Sequence, residues 1–125
     1  MWAKATNDNQ MCGVVLLDLR KAFDLVSHQV LLEKLQQYKC TNFTLNWFES
    51  YLHNRNQSTV FRGTISKTEH VKVGVPQGSV LGPLMFIVFM NDLPLASPNS
   101  QLDMYADDTT MTYAGSSIED IQQKP

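Results

Sequence analysis

Residues 102–112, LDMYADDTTMT, constrain this chain more than any other stretch. Leu102, Met104 and Ala106 alternate with Asp103 and Tyr105, a pattern that predicts a strand with two unlike faces. A second short alternating run follows Asp107 and Asp108. Together they predict a β-hairpin with two adjacent carboxylates at its tip. Like charges side by side are unfavourable unless a cation or a proton relieves them. No Lys or Arg lies between Lys72 and Lys124, so no sequence neighbour supplies that charge. Solvent, a distant basic residue or a metal ion remain. The competing reading is a plain polar turn, because Asp is common in turns.

With 125 residues, 43% of them hydrophobic, the chain is expected to be one domain at most with a single core. Residues 1–11 form a polar segment without usable pattern, and residues 12–125 hold the domain. The net charge of −2 announces no basic field for nucleic acid. Its distribution is uneven: residues 20–72 carry eight basic and four acidic side chains, and residues 92–120 carry six acidic and none basic. A basic middle and an acidic tip can hold a polyanion and a cation together, although an ordinary mixed surface has the same charges. Cys12 and Cys40 lack metal-type spacing and suit reduced thiols inside a cell, nucleus or cytoplasm unresolved. The longest apolar run, residues 81–90, includes Gly82 and Pro83 and is too short to span a bilayer, so no membrane role is expected. The first residues lack a signal-peptide pattern.

In chain order, Gly13-Val14-Val15-Leu16-Leu17 predicts a buried strand that ends at Asp18. Ser27 is a candidate N-cap for a helix carrying Val30, Leu31, Lys34, Leu35 and Tyr38. A second helix is expected over residues 44–52, with Leu45, Phe48 and Leu52 on one side. Residues 57–73 read as another hairpin, made basic by Arg55, Arg62, Lys67 and Lys72. Those four are candidate phosphate contacts, with a solvated ribbon as the alternative. In GVPQGSVLGP, Pro76 stiffens the approach, Gly78 permits an unusual backbone angle, and Ser79 caps a helix apolar nearly all round, hence buried. Gln77 sits just before it. Ser116 and Glu119 are spaced as a capping box for a last helix.

An acid ending one strand and an acid pair on a later hairpin meet if the strands are neighbours, about 4.8 Å apart. Carboxylates so placed can bridge two Mg²⁺ ions and serve in-line displacement at phosphorus.

VVLLDLRKAFDLVSH, GVPQGSVLGPLMF and MYADDTT, in that order, resemble the three central palm motifs of reverse transcriptases, and most of all those of non-LTR retrotransposons. The resemblance covers roughly residues 12–120. It implies an α+β fold, a palm-like small antiparallel sheet with helices packed on one face, without most of the fingers and thumb. It implies RNA-directed DNA polymerase chemistry on an RNA template, a DNA primer and a dNTP, with two Mg²⁺ ions or Mn²⁺ in their place. By position, Asp18 matches the first metal ligand, and Asp107 and Asp108 match the later pair. Leu19 matches the residue whose carbonyl faces the metal. Phe23 matches the aromatic gate against a ribose 2′-hydroxyl. Gln77 and Gly78 match the lining of the nucleotide and template pocket, and Tyr105 the aromatic beside the primer end. Lys21 and Asp24 fit the string with structural or peripheral roles. The expected partners include fingers and thumb segments of a longer polyprotein, and the isolated chain is expected to be weak or inactive.

Two other readings fit parts of the sequence. One is a catalytically inactive retrotransposon-derived remnant with at most nucleic-acid or protein binding. The other is a doubly wound phosphoacceptor domain with Asp18 as nucleophile, which needs more βαβ units than the pattern holds.

Overall fold

The structure is a computed structural model, and it describes residues 2–123. In chain order the elements are α1 (Trp2–Asn7), β1 (Met11–Asp18), α2 (His28–Gln37), α3 (Asn42–Leu52), β2 (Asn56–Gln57), β3 (Val60–Phe61), β4 (Thr64–Ile65), β5 (Glu69–His70), α4 (Leu81–Met90), β6 (Gln101–Tyr105), β7 (Asp108–Gly115) and α5 (Ile118–Gln122). Short 3₁₀ turns occupy Ala22–Leu25 and Leu93–Ala96. The class is α+β, with antiparallel sheets throughout. Antiparallel pairing excludes the doubly wound alternative, which requires parallel strands.

The elements divide into two compact units. One comprises residues 1–20 and 90–125 and is built on a three-stranded sheet in the order β1-β7-β6. The expected acid-tipped hairpin is present as β6–β7, with Ala106 and Asp107 as the connection. Strand β7 is central, pairs with β1 from Met11↔Gly115 to Asp18↔Asp108, and carries the buried Thr109, Thr112 and Tyr113. Helix α5 packs on β7 and β1, where Gly13 lets Ile121 approach the sheet closely. Its cap is Ser117, which accepts from the Asp120 N–H, while the Asp120 carboxylate accepts from the Ser116 N–H. The capping pair therefore lies one residue beyond the predicted Ser116 and Glu119.

The buried status expected for β1 does not hold. Val14, Val15 and Leu16 are 42%, 43% and 77% exposed. Among the described residues the strand lies at a sheet edge, with β7 as its one ladder partner. A continuous apolar run says that both faces of a strand are apolar, not that either is covered. The N-terminal helix α1, which packs on β1 through a segment including the buried Ala5, has no signal among its polar neighbours.

The hydroxyls of Thr109 and Thr112 are buried without a hydrogen-bond partner among the described residues. Valine has nearly the same shape as threonine and the same taste for strands. Thr112→Val is therefore expected to raise stability by about 1 kcal/mol, because an unsatisfied buried hydroxyl costs on that order. Urea unfolding of the two chains measures the difference.

The other unit, residues 21–89, packs α2 against α3. The predicted cap is present, with Ser27 Oγ accepting from the Val30 N–H at 3.4 Å, and Thr41 caps α3 in the same way. Leu31, Leu35 and Leu52 are buried as the helical spacing requires. The predicted basic hairpin exists as two nested ladders, β2 with β5 and β3 with β4, and its residues are exposed. Ser79 Oγ accepts from the Gly82 N–H at 2.9 Å and starts α4. That helix is not buried all round. Met85 and Phe86 are covered, but Leu84 and Ile87 are 50% and 59% exposed. Its composition lacks a polar face, so sequence alone gives no sign of which side is covered.

Candidate active site

Strand pairing brings the predicted acids of the sheet to one end. Asp18 is the last residue of β1 and lies directly opposite Asp108, the first residue of β7. Tyr105, the last residue of β6, lies opposite Asp108 on its other side. Tyr105, Asp108 and Asp18 thus form one row across the three strands. Directly opposed residues point to the same face, with Cβ atoms about 5 Å apart. Tyr105 is 84% exposed, so its ring is open to a ligand. Asp107 is half-buried in the hairpin connection. Ala106 before it has φ 54°, a left-handed angle that two-residue hairpins usually reserve for Gly or Asn. This strain sits beside the carboxylates, where functional sites often store it.

The side chains of Asp18, Asp107 and Asp108 make no hydrogen bond or ion pair with any described residue. Two opposed carboxylates without a cation are destabilising in a sheet. Hard divalent cations prefer such anionic oxygen ligands, so the donor set fits one in kind. Among the described residues no three His, Cys, Asp or Glu groups are close enough together to hold an ion. Asp18 and Asp108 are brought together; Asp107 is not gathered with them into a three-carboxylate cage. Leu19 follows Asp18 beyond the last ladder pair.

The remaining predicted residues belong to the unit of residues 21–89. Phe23, in the first 3₁₀ turn, is half-buried and stacks on Phe86 of α4, with ring centroids 4.4 Å apart and planes at 24°. Gln77 and Gly78 are exposed, and Gly78 has φ 78°. The segment 74–77 is stitched to residues 23–28. The Gly74 N–H donates to the Val26 carbonyl at 2.8 Å, and the Val75 N–H donates to the Phe23 carbonyl at 2.9 Å. Buried His28 holds its Nε2 2.7 Å from the Gly74 carbonyl. Gln77 Nε2 donates to Asp24 Oδ1 at 2.7 Å.

The four basic residues predicted to contact phosphate do not stay together. Arg55 and Lys72 line a cavity of about 670 Å³, which Lys21, Asp24, His70 and Gln77 also line. Arg62 lies over the Phe61 ring beside the β3–β4 turn, and neither Arg62 nor Lys67 lines that cavity. Lys21, Asp24 and His70 come together around this cavity only through folding. The pair Asp24 and Gln77 is 53 residues apart in sequence, so no local pattern announces it.

An opposed pair of acids on neighbouring strands, with a third acid in the adjoining hairpin connection, marks this end of the sheet as the candidate site. The family model "Reverse transcriptase (RNA-dependent DNA polymerase)" matches residues 2–124. The chain belongs to the reverse transcriptase family. It is 36% identical over 113 residues to the Drosophila melanogaster "Probable RNA-directed DNA polymerase from transposon X-element", which covers 87% of this chain and 12% of that protein. It is 36% identical over 118 residues to the polymerase of transposon BS, covering 89% of this chain and 13% of that one. The polymerase of mobile element jockey, from the same fly, is 36% identical over 122 residues, or 92% of this chain and 13% of its own length. The reverse transcriptase is of the non-LTR retrotransposon type. The chain spans about an eighth of the length of these relatives.

Proposed function

We propose that residues 12–125 are palm of an RNA-directed DNA polymerase, with Asp18, Asp107 and Asp108 at the catalytic centre. In the reaction a primer 3′-hydroxyl attacks the α-phosphate of a dNTP and pyrophosphate leaves. Catalysis is positioning with charge neutralisation. The observation that carries the reading is the opposition of Asp18 and Asp108 at the sheet end that also bears Asp107 and Tyr105. Asp18, Asp107, Asp108 and the Leu19 carbonyl would hold two Mg²⁺ ions, or Mn²⁺. When bound, the ions lower the pKa of the attacking hydroxyl and neutralise charge on the leaving oxygen. Tyr105 supports the primer end, and Gln77 and Gly78 line the nucleotide pocket. Arg55, Arg62, Lys67 and Lys72 contact nucleic-acid phosphates. Fingers and thumb segments of a longer polyprotein complete the grip on template and triphosphate.

Primer extension tests the reading. This chain replaces the corresponding segment of the jockey polymerase, and extension of a DNA primer on RNA is followed with dNTPs and Mg²⁺. Extension by the chimera, lost on Asp107→Asn, supports the proposal. An inactive chimera beside an active parent contradicts it and favours a catalytically silent remnant.

Phe23 is the specificity residue of this scheme. Phe23→Ala in the active chimera is expected to raise ribonucleotide use relative to deoxyribonucleotide use by at least about tenfold, the scale on which removing a side chain from a pocket changes discrimination. The ratio of kcat/KM for a matched rNTP and dNTP measures it. An unchanged ratio makes Phe23 a packing partner of Phe86 only.

A further inference from the structure

We infer that Asp24 is a positioning residue: its carboxylate fixes the orientation of the Gln77 side-chain amide for a bound nucleotide. The inference rests on the proposed polymerase function and assigns a role to a residue that the sequence reads as structural or peripheral. A carboxylate can only accept hydrogen bonds, so Asp24 Oδ1 at 2.7 Å requires the Gln77 amino group to face it. The opposite amide orientation would set two oxygens against each other. Asp24 therefore selects one of the two flip states and leaves the Gln77 carbonyl oxygen and one N–H for a ligand.

The Asp24 backbone is itself held firmly. Its N–H donates to the Lys21 carbonyl at 2.9 Å. Gly74 lies so close to the Asp24 backbone that an added Cβ would stand 2.7 Å from its carbonyl oxygen. The flanking Gly74–Val26 and Val75–Phe23 bonds tie the two segments together on either side of this contact. An exposed glutamine on its own samples several rotamers and loses that freedom on binding. Tied to a carboxylate carried on an anchored backbone, Gln77 has lost part of it before the ligand arrives, which is preorganisation. The pair faces the cavity that Lys21, Arg55 and Lys72 also line. The held amide there suits a hydrogen-bonding edge of the nucleotide's base or sugar.

The test is a titration of the 125-residue chain with dTTP and Mg²⁺, read on the Gln77 side-chain amide by NMR. In the unmodified chain the two amide protons are expected to be well separated and to shift with dTTP. Asp24→Ala is expected to merge them towards free-glutamine values and to weaken dTTP binding about tenfold, the scale of one charge-assisted hydrogen bond. Asp24→Asn, which keeps an acceptor, is expected to fall between. Gln77→Ala is expected to weaken binding as much as Asp24→Ala, and the double variant no more than either. Additive losses, equal binding by Asp24→Ala and the unmodified chain, or a Gln77 signal that ignores dTTP would each overturn the inference. If Asp24→Ala unfolds the chain, Asp24→Asn decides on the same criteria. Primer extension by the chimera reports separately on the polymerase reading. In that chimera Asp24→Ala is expected to raise the dNTP KM with kcat within about twofold, as uniform binding loss does.

Discussion

Replacing Gly74 with alanine is expected to destabilise the chain by about 3 kcal/mol, summing a left-handed backbone penalty of 1–2 kcal/mol and an overpacking penalty of 1–3. Gly74 has φ 92°, which L side chains rarely adopt. Its added Cβ would also meet the oxygen, carbonyl carbon and Cα of Asp24 at 2.7, 3.0 and 3.0 Å. These are backbone atoms, held by the Gly74–Val26, Val75–Phe23 and His28–Gly74 bonds, so they cannot swing aside. A loss of this size is a large share of the roughly 5–15 kcal/mol that keeps a domain folded. Gly63 supplies the control. Its φ is 79°, but no described residue lies within 4 Å of its Cβ position, so Gly63→Ala carries the backbone penalty alone, about 1 kcal/mol. Urea midpoints of the two variants separate the effects. Equal, small losses would mean that the junction between residues 23–28 and 74–77 is not packed as described.

Asp107→Asn in the active chimera is expected to lower the primer-extension rate by about 10³-fold or more, the upper range for deleting one charge-stabilising group. The substitution keeps the size of the side chain and removes only its charge, so folding is spared. An amide is a weaker ligand for a hard cation and does not offset its charge. Asp103→Asn is the matched control. Asp103 lies on β6 opposite Thr110, and its carboxylate is 3.4 Å from Gln101 Nε2 on the same strand. Its loss is expected to change the rate less than about twofold, because this carboxylate is two ladder pairs away from the Tyr105–Asp108–Asp18 row and is engaged with Gln101. Single-turnover extension rates at saturating dNTP compare the two.

Local pattern carried much of this chain. The period-two alternation at residues 102–106 forecast β6, and the side-by-side acids forecast the turn, because strand periodicity and turn chemistry are local. The caps at Ser27 and Ser79 were legible for the same reason. Coverage was not. Val14, Leu16, Leu84 and Ile87 read as core because they are apolar, yet each has an open side. An apolar residue reveals its preference, not its neighbour. The Asp18–Asp108 opposition followed from assuming that two strands are adjacent, and the ladder places them so. The Asp24–Gln77 bond and the division of the basic residues between cavity and hairpin tip depend on long-range packing, which no local spacing encodes.

Asp18, Asp107 and Asp108 are proposed to act together on a divalent cation. Substoichiometric Mn²⁺ added to the uniformly ¹⁵N-labelled chain tests it most directly, because a bound paramagnetic ion broadens only nearby amide signals. Broadening that begins at residues 18–19 and 106–108 and disappears in Asp18→Asn is the expected result. Broadening that starts at other acids, such as Asp92 or Glu119, or that survives Asp18→Asn unchanged, would rule out a cation held by Asp18, Asp107 and Asp108.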